Sequence, residues 1–193
     1  SLHVLLLLLK VKIKKNLNIK DCYDIGKNIA KLHIASNKIK IFRKNSFSAN
    51  NLNFLLKSIK FKSKNIIPHL HSVLKKNLNE IKKNWPKKLP KGIIHGDLFI
   101  DNIFFNKNKF FGFIDFYFSC NDYLMYEIAI CINALCFDKK KQKFIMNRKK
   151  TKNLIKGYQS VKKITLEEKK SLNILCRGAA LRYLLTRSYD YFN

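Results

Sequence analysis

The chain has 193 residues, 47% of them hydrophobic, and carries 40 Lys and Arg against 12 Asp and Glu for a formal net charge of +28. That apolar supply suits one sizeable buried core, and the length favours one domain over two. So much positive charge ordinarily points to nucleic acid or an anionic membrane, yet Arg occurs only at 43, 148, 177, 182 and 187; base-edge readout favours Arg over Lys, so Lys spread through every segment reads as compositional bias and disfavours nucleic acid as a partner.

Residues 3–9 form a continuous apolar run, short enough for a buried strand though its pattern alone also allows a helix, and far below the ~20 residues of a membrane-spanning helix. Its charges follow it rather than precede it, unlike those of a secretory leader, so no membrane partner is expected and the setting reads as cytoplasmic. Lys10–Lys15 reads as a solvated connection. Asp21 is placed to cap a helix whose apolar positions Cys22, Ile25, Ile29 and Leu32 recur at helical spacing. A less regular helix is expected over Leu52–Ile59, then one from about Ile66 to Trp85, closed by Pro86 and Pro90.

Gly92–His95 has the content of a short strand. Two further apolar runs, Ile103–Phe105 and Phe110–Ile114, flank Asn106-Lys107-Asn108-Lys109, a hairpin signal. Leu124–Phe137 is nearly apolar all round, which predicts a buried helix. Thr165-Leu166-Glu167-Glu168 is a capping-box pattern, and helical spacing continues through Leu185 with a break expected at Gly178. The cysteines at 22, 120, 131, 136 and 176 form no C-x-x-C pair and lack a His placed to complete a zinc set, so they read as core residues in a reducing compartment.

The informative segment is His95-Gly96-Asp97-Leu98-Phe99-Ile100-Asp101-Asn102, followed by Gly112-Phe113-Ile114-Asp115-Phe116. An Asp followed five positions later by an Asn lets the first side chain accept a hydroxyl proton while the second turns toward a metal ion, and the hairpin returns a second Asp beside that Asn. Protein kinases arrange these groups as H-R-D-x-x-x-x-N and D-F-G. Gly96 in place of the Arg and Tyr117 in place of the Gly point to small-molecule kinases of related fold. Asp97 is the candidate base, and Asn102 and Asp115 offer the oxygens Mg2+ prefers. His95 reads as a support that holds the loop by hydrogen bonds. Asp101 either contacts substrate or caps the loop, Asp122 reads as a helix cap, and Glu127 is an acid in need of a partner, placed to hold the loop after Asp115.

The segments His95–Asn102, Gly112–Cys120, Tyr126–Asn133, Gly157–Val161 and Arg177–Arg187 resemble the homoserine kinase branch of the aminoglycoside phosphotransferase-like superfamily, from about residue 4 to the end. The resemblance implies an α+β, mainly helical fold: the C-terminal lobe of a protein-kinase-like enzyme, with a small catalytic β-hairpin. It implies transfer of a phosphoryl group from ATP, with Mg2+, to L-homoserine in threonine synthesis. Residues 1–10 would be the last strand of an N-terminal lobe and the hinge, and 11–193 the C-terminal lobe. The N-terminal nucleotide lobe, with its phosphate-covering loop and Lys, is expected upstream of Ser1, and this chain alone is expected to be inactive. Two departures from the branch are Glu127, where Asp is usual, and Lys10-Val11-Lys12, where an acidic or Gly-containing hinge is expected.

A homoserine carboxylate calls for a guanidinium. Arg177 and Arg182 are the leading candidates, Arg187 ranks below them, and Tyr117 and Asn133 are weaker. The rivals are a kinase of another small alcohol (choline, an aminoglycoside or methylthioribose) and a non-catalytic, Lys-rich nucleic-acid-binding remnant.

Overall fold

A reciprocal pair of side chains starts the first helix, α1 (Ile19–Ser36). Asn18 Oδ1 accepts from the Asp21 N–H at 2.8 Å, and Asp21 Oδ2 accepts from the Asn18 N–H at 2.9 Å. This capping box satisfies two N-terminal donors at once, so Asp21 stands inside the first turn and Asn18, not Asp21, is the cap. The computed structural model describes residues 11–48, 51–60 and 68–192. The strand expected over residues 3–9, the hinge of residues 1–10, and Ile66 lie outside them.

Val11–Ile13, expected as a solvated connection, forms strand β1 instead. The reason lies in β3 (Ile103–Asn106) and β4 (Lys109–Phe113), whose hairpin offers β1 a free edge, and the three strands pair antiparallel in the order β1-β3-β4. The β3–β4 turn places Lys107 and Asn108 at φ 45° and 64°, the left-handed pair that suits the twist of a two-residue hairpin. Strand β2 (Lys91–Ile94) pairs antiparallel with β5 (Cys120–Tyr123), so the loop after β2 and the turn before β5 emerge together.

Helix α2 spans Leu52–Ser58 and α3 spans Leu70–Asn84. The second starts later than the apolar spacing suggests because His69, at φ 65°, interrupts helical backbone. Helix α4 (Leu124–Leu135) is buried nearly all round, as its composition predicts, and stops before Phe137 because residues 137–140 and 143–146 form a hairpin, β6 and β7. Helices α5 (Arg148–Gln159) and α6 (Leu166–Phe192) complete the chain. At the start of α6, the Thr165 N–H donates to Glu168 Oε2 at 2.8 Å and the Glu168 N–H to Thr165 Oγ1 at 3.2 Å, the expected capping box.

No break occurs at Gly178. A Cβ there would lie 2.4 Å from a ring carbon of Trp85, so this glycine admits an indole against the helix rather than ending it. Two more glycines set the closest helix pair: a Cβ on Gly26 of α1 would lie 2.0 Å from the Leu154 carbonyl oxygen, and one on Gly157 of α5 would lie 1.9 Å from that of Tyr23.

The main core gathers α1, α4, α5 and the hairpin residues Ile103 and Phe105. A second cluster joins α2, α3 and the far half of α6 through Leu56, Leu78, Ile81, Leu181 and Leu185. The fold is α+β and mainly helical. All five cysteines are free thiols and four are buried, as expected of core residues. No helix among the described residues is long and apolar enough to cross a membrane.

Candidate active site

The loop after β2 is held from both sides of its backbone. Glu127, buried in α4, accepts from the His95 N–H and, at 3.2 Å, from the Gly96 N–H. The Gly96 carbonyl accepts from Arg182 Nη1 at 2.8 Å and from the Tyr183 hydroxyl at 3.2 Å, both on α6. Glu127 therefore clamps the start of the loop, not the segment after Asp115. Gly96 has φ 81°, and a Cβ there would lie 2.8 Å from the Phe118 carbonyl oxygen. This explains why the Arg found here in protein kinases is absent: its backbone conformation and the space are both reserved for glycine.

His95 fixes the next step. Its Nε2 lies 2.7 Å from the Ile114 carbonyl oxygen, an acceptor only, so Nε2 carries the proton and Nδ1 accepts the Asp97 N–H at 3.3 Å. Burial lowers the His95 pKa, against the opposing pull of the Ile114 bond and the Asp97 and Asp115 carboxylates. The ring is thus a neutral bracket joining Asp97 to the segment that leads into Asp115.

Asn102 closes the loop. Its Nδ2 donates to the Asp97 backbone carbonyl at 2.8 Å, while its backbone carbonyl accepts from the Ile114 N–H at 3.1 Å. With the amide nitrogen so engaged, its oxygen is the end left for a cation. Asp115 follows Ile114 in left-handed backbone, φ 59°, and its Oδ1 accepts from the Tyr117 N–H at 3.3 Å. Asn102 and Asp115 together offer one neutral and one carboxylate oxygen, a hard donor set that fits a cation completing its shell with water and phosphate oxygens. No cluster of three His, Cys, Asp or Glu residues suited to a metal exists among the described residues.

Asp97 opens onto a cavity of 420 Å³ lined by α6 residues Arg182, Tyr183, Thr186, Arg187 and Asp190, with Phe47 and Phe118 opposite. The Tyr183 hydroxyl shares its one proton between the Gly96 carbonyl and Asp97 Oδ1, each at 3.2 Å, and burial pushes that phenol pKa well up, so it stays a donor. Arg182 is 4% exposed, its guanidinium lying 4.9 Å from both the Phe47 and Tyr183 rings. Burial pushes the Glu127 carboxyl up to about 7, against the pull of its two backbone donors and of Arg182.

Other residues singled out from sequence lie elsewhere. Arg177 pairs with Glu80 on α3 at 2.7 Å, because five helical residues rotate it away from the face that carries Arg182. Asp101 is exposed on the turn Ile100–Asn102, where it makes no side-chain cap. Tyr117 is 70% exposed and lies outside the Asp97 cavity, its ring 5.6 Å from the Arg43 guanidinium. Asn133 donates to the Cys176 carbonyl at 2.8 Å, a bond between α4 and α6. Asp122 lies in β5 rather than at the helix cap, its Oδ2 accepting from Asn45 Nδ2 at 2.6 Å. Sequence reasoning missed Phe47, Tyr183, Thr186 and Asp190. The last three share one helical face with Arg182 and Arg187, and that spacing was the available signal.

Residues 17–149 match the phosphotransferase enzyme family. The chain is 41% identical over 170 residues to the homoserine kinase of Mesorhizobium japonicum, covering 88% of this chain and 52% of that protein. It is 39% identical over 175 residues to the homoserine kinase of Brucella anthropi, covering 91% and 53%. The chain thus spans about half the length of these relatives. Among solved structures, the amicoumacin kinase hAmiN in complex with AMP-PNP, Ca2+ and Ami superposes with a TM-score of 0.62 at 14% identity, over 91% of this chain and 53% of that one. An aminoglycoside-3'-phosphotransferase of type VIII gives 0.56 at 12% identity, over 84% and 63%. Both likenesses are of fold. Matched along residues 17–149 and folded like these kinases, the chain belongs to the phosphotransferase enzyme family.

Proposed function

We propose that this chain is the C-terminal lobe of an ATP-dependent homoserine kinase, which works in the intact enzyme together with a nucleotide-binding lobe. The observation that carries the reading is the identity of 39% to 41% with homoserine kinases over about nine-tenths of the chain, combined with the arrangement of Asp97, Asn102 and Asp115. In this reading Asp97 takes the proton from the homoserine hydroxyl as that oxygen bonds to the γ-phosphorus. The bond from phosphorus to the β,γ-bridging oxygen breaks, and ADP leaves with the electron pair. Asn102 and Asp115 are the residues that would hold Mg2+, which would supply positive charge against the phosphates. Glu127, His95, Arg182 and Tyr183 keep the loop rigid, so Asp97 needs little reorganisation to meet the hydroxyl.

The test is phosphorylation by the intact enzyme, followed by 31P NMR, with L-homoserine, choline, kanamycin and methylthioribose as acceptors. L-Homoserine is expected to be phosphorylated with by far the highest kcat/KM. Preference for any of the other three would reassign the acceptor within the same chemistry, and no transfer to any of them would remove the kinase reading.

A further inference from the structure

The cavity beside Asp97 contains two opposite charges that the fold leaves unused. Arg187 and Asp190 both line it. They stand three residues apart on α6, a spacing at which oppositely charged side chains commonly pair. Neither makes an ion pair or hydrogen bond with any described residue. Arg182, the other cation of the cavity, is buried and partly engaged: Nη1 donates to the Gly96 carbonyl, the Phe47 and Tyr183 rings lie 4.9 Å away, and its buried Nε has no partner among the described residues. It is a loop anchor with little freedom to turn toward a ligand.

Distances along the helix suit a small acceptor. Tyr183 touches Asp97 directly, Arg187 is about 6 Å further along the axis, and Asp190 about 10 Å. All are on one face. A hydroxyl at Asp97 therefore leaves the rest of a short molecule directed along α6, toward first a cation and then an anion.

We infer that Arg187 and Asp190 form a clamp for a zwitterion, with Arg187 holding the α-carboxylate and Asp190 the α-ammonium of a hydroxy amino acid whose hydroxyl sits at Asp97. The inference rests on the homoserine reading and makes it specific: recognition of the amino-acid end belongs to Arg187 and Asp190 rather than to Arg177 or Arg182. A guanidinium matches a carboxylate bidentately, and a carboxylate opposite an ammonium excludes acceptors without a positive end. Choline would satisfy Asp190 and leave Arg187 unpaired, whereas an uncharged sugar would leave both unpaired.

The experiment measures binding of L-homoserine, L-homoserinamide, N-acetyl-L-homoserine, choline and kanamycin to the intact enzyme by calorimetry, in wild type, Arg187→Gln and Asp190→Asn. Both residues are exposed, and circular dichroism checks that each variant is folded. In the wild type, each blocked compound should bind roughly ten- to a hundredfold more weakly than L-homoserine, the usual range for a charged hydrogen bond. Arg187→Gln should abolish the preference for acid over amide and keep that for free over acetylated amine; Asp190→Asn should do the reverse. If L-homoserine binds and neither variant changes its preference, the clamp is wrong and the homoserine reading stands. If the wild type does not bind L-homoserine but binds choline or an aminoglycoside, both are wrong.

Discussion

The Glu127 carboxylate lies 3.2 Å from the backbone nitrogen of Gly96, inside the core. Its pKa is raised from 4.5 to about 7, mainly by burial. A carboxyl raised on folding binds its proton more tightly in the folded chain, so its contribution to stability is fully present below pH 4.5 and is lost as pH rises toward 7, by up to roughly 3 kcal/mol. Buried His33 acts in the opposite direction. Its pKa falls from 6.5 to about 3, so its contribution is present above 6.5 and lost on acidification. Glu127→Gln should remove the first effect alone. Urea unfolding from pH 4.5 to 7 should then show variant stability rising relative to wild type; parallel curves would mean that Glu127 does not titrate there.

Gly26 and Gly157 should tolerate no side chain. The atoms that a Cβ would meet are backbone carbonyls, which cannot rotate away, so either glycine-to-alanine change should cost about 3 kcal/mol or more. Gly112 is the control, since a Cβ there meets nothing within 4 Å. Gly112→Ala should fall within about 0.5 kcal/mol of wild type. Thermal denaturation of the three variants separates these outcomes.

In the intact enzyme, Asp97→Asn should reduce kcat by about 10²- to 10⁴-fold, the usual range for general-base catalysis, while nucleotide affinity stays near wild type. Asp115→Asn should instead weaken the magnesium-dependent part of nucleotide binding. Near-normal turnover of Asp97→Asn in a rapid-quench assay would take the base role away from this residue.

Arg182→Met should leave the Gly96 carbonyl with only the Tyr183 hydroxyl, loosening the loop without touching Asp97. kcat is expected to fall more than KM rises, with the acid-over-amide preference intact. Loss of that preference would place the substrate carboxylate at Arg182 instead.

The motif and its hairpin were legible in the sequence because they rest on local chemistry: a five-residue spacing from Asp97 to Asn102, and a turn between two apolar runs. The long-range pairings were not. Val11–Ile13 looks like a charged connection until the free edge of Ile103–Asn106 is beside it. Gly178 looks like a break until Trp85 is placed against it, and Arg177 looks equivalent to Arg182 until Glu80 claims it. Tyr183, Thr186 and Asp190 carry no motif. Their common face becomes meaningful only when Asp97 is set opposite.

Helix α6, 27 residues and about 40 Å long, holds the Asp97 loop with Arg182 and Tyr183 and then, one and two turns further along, lines the cavity with Thr186, Arg187 and Asp190. In the clamp we propose, acceptor recognition and support of the Asp97 loop fall to successive stretches of a single rod. On that proposal, change at positions 186–190 would trade one alcohol for another while Asp97 keeps its register, so that one scaffold would diversify its substrates without reinventing its reaction.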